Sequence, residues 1–240
     1  MNNFSFRDPH YFKDPADGQE YLLFEANTGE AIHAEGTVED EYIGYFSEGY
    51  QPSADDLKAN GCVGALKLYK NKTEAEFLPP VLTTNLITDE IERINVIVHE
   101  DHYYLFVDTH GNKMTVNGND LINRDFMIGF RSDSLFGKYE PLNETGIVIT
   151  QKSPGEIYVG QEENEQYVYS WLVLPAKNGR FVVIAYSNFS TTPDGVVRKI
   201  KSAAPVVELI ISGTHTRLGR NLGTFKPAGE SCDKKIGPKC

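Results

Sequence analysis

Cysteine is scarce, helical periodicity is nearly missing and basic residues are outnumbered, and each shortage removes a class of protein. Three cysteines in 240 residues do not make a disulfide framework. Cys62 sits in an apolar context that predicts a buried thiol, and Cys232 with Cys240 could close a small C-terminal loop. Against 23 Lys and Arg stand 34 Asp and Glu, a net charge of -11. That balance disfavours nucleic acid, whose phosphates need a basic surface, and an anionic membrane for the same reason. A neutral ligand such as a sugar is indifferent to it. No apolar run approaches the ~20 residues of a membrane-spanning helix. The N-terminal Met1–Phe6 has no basic region followed by an apolar stretch, so no signal peptide is visible. Asn-x-Ser/Thr triplets begin at Asn3, Asn71, Asn143 and Asn188, and they leave the compartment open.

What the chain has in quantity is short aromatic and β-branched runs punctuated by Gly, Asn, Asp and Pro. Strands are predicted at Tyr21–Glu25, Val63–Tyr69, Tyr103–Asp108, Phe126–Ser132, Tyr167–Pro175, Phe181–Ser187 and Val206–Ile211, and a single short helix at Ser53–Ala59. A weak repeat runs through them. Asp8-Pro-His-Tyr-Phe leads into Glu20–Glu25, Glu92-Arg-Ile-Asn-Val-Ile-Val into Tyr103–Asp108, and Ser170-Trp-Leu-Val-Leu-Pro into Arg180–Ala185. Each unit is a polar residue, an apolar strand, a turn and a second apolar strand. Hairpin units of this size suggest propeller blades, with a sandwich or barrel as the alternatives. Asp8 and Glu92 each stand about a dozen residues before the second strand of their unit. If they occupy the same blade position, both carboxylates converge on a central pocket. The plainer reading makes Asp8 a turn residue before Pro9 and Glu92 part of a solvated charge run.

The motifs are more specific. Arg7-Asp8-Pro9-His10, then Tyr21-Leu-Leu-Phe-Glu-Ala-Asn-Thr-Gly29, resembles the levansucrase and inulosucrase family of glycoside hydrolases. Thr88-Asp89-Glu90-Ile91-Glu92-Arg93 followed by Asn95 is similar to that family's acid/base motif. Ala59-Asn60-Gly61, Lys113-Met114-Thr115, Gly137 to Asn143 and Gly223-Thr224-Phe225-x-Pro227 fit in the same order, so the resemblance covers about residues 6 to 227. The related invertases carry Glu-Cys where this chain has Glu92-Arg93.

The resemblance implies an all-β, five-bladed β-propeller without its first blade, over residues 1–228, with a tail at 229–240. It implies a retaining enzyme that cleaves sucrose and transfers the fructosyl unit to fructan, sugar or water. Glu92 matches the acid/base, a group that must carry a proton to the departing glucose oxygen. Asp8 matches the carboxylate that stabilises the oxocarbenium-like transition state. Arg7, Glu90, Arg93, His110 and Tyr169 match sugar-binding positions; some members have arginine where His110 stands. For Arg93 a surface ion pair is the plain alternative, and for Tyr169 ordinary inner-strand packing. No cofactor is required. Asn60 and Asp89 match positions that bind a structural calcium in some members, although Asn2 replaces an expected aspartate and the loop Glu30–Tyr42 has no glutamine. No residue matches the nucleophile, which the family carries in a Trp-Asp motif; Trp171 is followed by leucine. The isolated chain is therefore expected to be inactive, completed by an N-terminal segment or a partner chain. The family implies an extracellular protein. The rival from another class is a non-catalytic, carbohydrate-binding propeller remnant.

Overall fold

In this computed structural model, residues 5–28, 58–71, 73–115, 124–152, 166–191 and 197–224 are described. They are all-β, in three antiparallel sheets, with two 3-10 turns and no α-helix among the described residues. The helix expected at Ser53–Ala59 falls mostly outside them, as do Asn2, the loop Glu30–Tyr42, Phe225, Pro227, Cys232 and Cys240. Cys62 is a free, buried thiol, and burial pushes its pKa up to about 12.

The first sheet orders β1 (Arg7–Lys13), β2 (Glu20–Asn27), β3 (Gly61–Leu68) and β4 (Ala75–Thr83) as a simple meander. The second repeats it with β5 (Glu92–His99), β6 (His102–His110) and β7 (Arg124–Ser132), after which β8 (Glu140–Pro141) and β9 (Ile147–Lys152) both pair with β7. The third has β10 (Gln166–Pro175) and β11 (Phe181–Thr191), with β12 (Val197–Ala203) and β13 (Pro205–Ser212) both on β11, and β14 (His215–Thr224) outermost. Each expected strand is present with bounds shifted by at most a few residues; the one expected at Val63–Tyr69 starts earlier, at Gly61, and ends at Leu68.

The period-2 alternation of strand side chains explains how the sheets stack. On the second sheet Val96, Leu105, Val107, Phe126 and Ile128 join Leu23, Val63 and Ala65 of the first in one core. Their neighbours Ile97, Tyr104, Phe106 and Met127 point the other way and join Trp171, Val173, Phe181, Val183 and Leu209 of the third. A sheet buried on both faces reads as near-continuous apolar sequence, as in Tyr103–Val107. Each such residue contributes about 1.5–3 kcal/mol by its burial. Two cross-sheet bonds fix the inner strands: the Val96 N–H donates to His10 Nε2 (3.4 Å) and the Val173 N–H to Asn95 Oδ1 (2.8 Å). Strand β5 therefore lies between β1 and β10.

The outer face of the first sheet carries an aromatic group. Phe24 contacts Phe6 (ring centroids 4.5 Å apart) and Phe77 (6.3 Å), and Phe6 and Phe77 are 66% and 69% exposed. The Phe24 ring lies directly on Gly64, where any Cβ would overlap it.

Candidate active site

Each inner strand breaks its ladder at the same place. The register shifts between Arg7 and His10 in β1, between Glu92 and Asn95 in β5, and between Tyr169 and Leu172 in β10. At each break a non-glycine residue takes a left-handed backbone: Asp8 (φ 51°), Arg93 (φ 54°) and Ser170 (φ 58°). Such residues cost about 1–3 kcal/mol each and cluster where a site needs them. A bulge re-aims the side chains beside it. The cross-strand partners Arg7–Glu25, Glu92–Asp108 and Tyr169–Tyr186 make Arg7, Glu92 and Tyr169 the equivalent positions.

This corrects the repeat read from the sequence, which matched Asp8 with Glu92. Asp8 is the counterpart of Arg93 and Ser170 instead. The mismatch arises because the sequence count runs through hairpin turns of unequal length. The turn after β1 spans Asp14 to Gln19, closed by Asp14 N–H to the Gln19 carbonyl, while Glu100 and Asp101 alone, both left-handed, turn β5 into β6.

The three equivalent side chains nevertheless meet. Arg7 Nη2 donates to Glu92 Oε1 (2.8 Å) and to Glu90 Oε2 (3.3 Å), and Tyr169 Oη donates to Glu92 Oε2 (2.6 Å). Arg7 also grips Glu25 side-on, Nε to Oε2 at 2.6 Å and Nη2 to Oε1 at 3.2 Å. One carboxylate oxygen each from Asp8, Glu25 and Glu92 lies within 4.8 Å of the other two. Asp8 Oδ2 accepts the main-chain N–H of Arg93 at 3.2 Å; Arg93 itself is exposed. His110 lies flat on Tyr169, ring centroids 4.4 Å apart at 16°, with Nδ1 bound to Asp125 (2.8 Å) and Nε2 toward Glu90 (3.8 Å) and Glu92 (3.9 Å).

Electrostatics follow from burial and crowding. Burial raises the Tyr169 phenol far above its ordinary value, reinforced by Glu92 and Asp108. Tyr169 therefore acts as a hydrogen-bond donor. Burial opposes the His110 imidazolium, but the Asp125 bond and the charges of Asp125, Glu90 and Glu92 outweigh it and raise the pKa. Burial likewise raises Glu25, with Arg7 pulling against it.

Three acids in this cluster escaped the sequence reading: Glu25, Asp108 and Asp125. Glu25 and Asp108 end apolar runs and hold the same register opposite an inner strand, while Asp125 precedes one. Asp108 is wholly buried, which drives its pKa well up. The Arg93 guanidinium and the Trp171 N–H offset this in part, yet neither completes a well-formed hydrogen bond to it. Beside the cluster lies a cavity of about 370 Å³ lined by Asp8, Pro9, His10, Arg93, Ile94 and Leu172. A larger open groove, about 950 Å³, lies at the far end of the first sheet along Asp17–Glu20 and Lys67–Asn71, and holds none of these acids.

Asn27 links the two candidate calcium positions, through the Asn60 side chain and the Asp89 main chain. Asn27 Nδ2 donates both to Asn60 Oδ1 (2.9 Å) and to the Asp89 carbonyl (3.1 Å). Asp89 Oδ1 is buried without a partner, and burial lifts its pKa to about 6. A hard cation is the kind of group that such an orphaned oxygen accepts.

A family model described as Levansucrase/Invertase matches residues 1–223. The chain is 34% identical over 240 residues to a levansucrase of Bacillus amyloliquefaciens, covering 92% of this chain and 47% of that one. It is 32% identical over 232 residues to a protein of Geobacillus stearothermophilus called an inactive levansucrase, covering 90% and 46%. Among solved structures, a levansucrase complexed with sucrose superposes with a TM-score of 0.70 at 30% identity, over 93% of this chain and 51% of that one. The chain thus spans about half the length of the curated relatives it matches.

Proposed function

Because this chain belongs to the levansucrase/invertase family of glycoside hydrolases, we propose that its acid cluster is the larger part of a sucrose-cleaving, fructosyl-transferring site. The observation that carries the reading is the convergence of Arg7, Glu92 and Tyr169 from three equivalent bulges on one point, with Asp8 beside them. Glu92 is the acid that protonates the departing glucose oxygen and then the base that activates the acceptor. Tyr169 and Arg7 hold its two oxygens and so fix its orientation. Asp8 bears the charge that stabilises the oxocarbenium-like fructosyl unit, and its strained backbone aims it. Glu90, Arg93 and His110 surround the sugar. Product sugars and fructan act as acceptors, and the enzyme works outside the cell.

The three sheets serve as successive blades of a five-bladed propeller. The exposed Phe6–Phe24–Phe77 face suits the docking of a preceding blade, because a large apolar sheet face left open invites cover. We assign the nucleophilic carboxylate to that preceding part, supplied in the same polypeptide or by a partner chain. The purified 240-residue chain is then expected to release no glucose from sucrose. Joining it to an N-terminal part with a Trp-Asp motif restores release, measured by a coupled glucose assay. Release by the chain alone, abolished in Glu92→Gln, would show that a nucleophile lies within it. Failure of the completed ring favours the non-catalytic, carbohydrate-binding remnant.

For Asp89 and Asn60 we propose a structural calcium and no catalytic cofactor. Burial raises the Asp89 acid, so the fold prefers its neutral form. The stability tied to that preference is full below the ordinary carboxylate value and is lost as pH rises through about 6. In chelator, Asp89→Asn should gain about 1–3 kcal/mol over the parent between pH 4 and pH 8. Calcium should stabilise the parent and leave the variant unchanged. Urea titrations at both pH values test this, and a gap that stays constant with pH would refute it.

A further inference from the structure

We infer that Glu90, Glu92 and His110 form an inhibitory site for a divalent transition-metal cation of the Zn²⁺ class. One donor atom from each residue lies within 4.8 Å of the other two. His110 Nε2 stands 3.8 Å from Glu90 Oε1 and 3.9 Å from Glu92 Oε2. Zinc–nitrogen and zinc–oxygen bonds of about 2.1 Å set donors roughly 3.4 Å apart in a tetrahedral site, so the two histidine–carboxylate distances need to shorten by only about half an ångström.

The independent pointer is Glu90. It is 6% exposed, and its Oε1, the oxygen nearest His110, is buried with no hydrogen-bond partner. An unpaired buried carboxylate oxygen is costly, and a cation relieves it. Arg7 does not occupy the same ground, because it binds Glu90 through Oε2 and Glu92 through Oε1, the opposite oxygen of each. The imidazole is also prepared. Asp125 takes Nδ1 at 2.8 Å, which turns Nε2 toward the carboxylates, where a metal would replace its proton, the arrangement metal-binding histidines use. Tyr169 stacks on the ring and holds its plane. Three carboxylates surround the one guanidinium of Arg7, an excess of two formal negative charges that a dication cancels. A nitrogen donor beside two carboxylates suits Zn²⁺, Co²⁺, Ni²⁺ or Cu²⁺ better than Ca²⁺ or Mg²⁺. Inhibition rests on the catalytic reading above: a Glu92 oxygen engaged by the metal no longer delivers a proton to glucose. Binding itself does not depend on that reading.

The test uses the full chain with Cys232 and Cys240 replaced by serine, so that tail thiols do not compete. Titration with Co²⁺ should give visible d–d absorption of a nitrogen/oxygen site, displaced by Zn²⁺ in calorimetry. His110→Gln and Glu90→Gln, each checked for an unchanged melting transition, should lose that spectrum. Asp125→Asn should weaken binding about 10–100-fold, and Asp89→Asn should leave it intact. A Co²⁺ spectrum that survives His110→Gln, or no binding at millimolar metal, overturns the site. In the completed enzyme, Zn²⁺ should reduce sucrose cleavage, and His110→Gln should bring the ratio of rates with and without Zn²⁺ close to one. Metal bound without loss of rate overturns the inhibition and keeps the site. A completed ring without activity refutes the catalytic reading, while the Co²⁺ spectrum still decides the site.

Discussion

Glu92→Gln in the completed enzyme is expected to lower sucrose turnover by about 10²–10⁴-fold, the usual contribution of a positioned general acid. The amide keeps the shape and can still meet Arg7 and Tyr169, but it has no proton to give the glucose oxygen. A fructosyl fluoride needs little protonation to depart, so its first step should be far less affected, while transfer to an acceptor still lacks a base. Asp8→Asn should behave otherwise and slow both substrates, since it weakens the charged transition state whatever group leaves. Steady-state rates with both substrates and a pre-steady-state burst separate the two roles. Equal first-step losses for sucrose and the fluoride in Glu92→Gln would remove it as the acid and leave Glu90 as the next candidate.

The second large effect concerns stability. Arg7→Met strips Glu25, which is completely buried, of the guanidinium that binds both its oxygens. Removing one partner of a buried pair costs about 3–5 kcal/mol; Arg7 is 47% exposed, so about 2–4 kcal/mol is expected here. The pH dependence has a definite sign. Burial already raises the Glu25 acid, Arg7 opposes that, and the variant raises it further. The neutral acid tolerates burial, so the loss should be small near pH 4.5 and full at pH 8. Glu25→Gln added to Arg7→Met should recover most of the lost stability at pH 8. Urea unfolding of the parent, single and double variants at both pH values measures it, and a loss independent of pH would exclude Glu25 as its cause.

Much of this was legible because strands announce themselves locally. Tyr103–Asp108 and Phe181–Ser187 are apolar on both faces, and the second sheet is covered on both. Strands β4, β8, β9, β12 and β14 were not foreseen. Ala75–Thr83 has two prolines and a mostly exposed outer half, the composition of an edge rather than a core strand. For the candidate site, motif order pointed to Arg7, Asp8, Glu90 and Glu92, which the fold brings together, but spacing misjudged their symmetry, because turn lengths differ while ladder register does not. Glu25 and Asp108 were invisible as site residues since nothing local distinguishes a carboxylate ending an apolar strand from one leading into a turn. Only the pairing across the hairpin puts each opposite a bulge.

The chain's single tryptophan has a practical consequence. Trp171 is 4% exposed, within the core shared by the second and third sheets, and stands edge-on to Tyr169 at 5.6 Å. Tyr169 in turn touches Glu92. Tryptophan emission of the unlabelled protein, excited beyond the tyrosine absorption band, thus comes from one known indole, whose neighbour Tyr169 touches the acid cluster. A sugar or an ion seated against Glu92 shifts the tyrosine that this indole borders, and separation of the third sheet from the second moves the indole into water. Brightness reports the first event and wavelength the second, so one optical trace follows occupancy and unfolding separately.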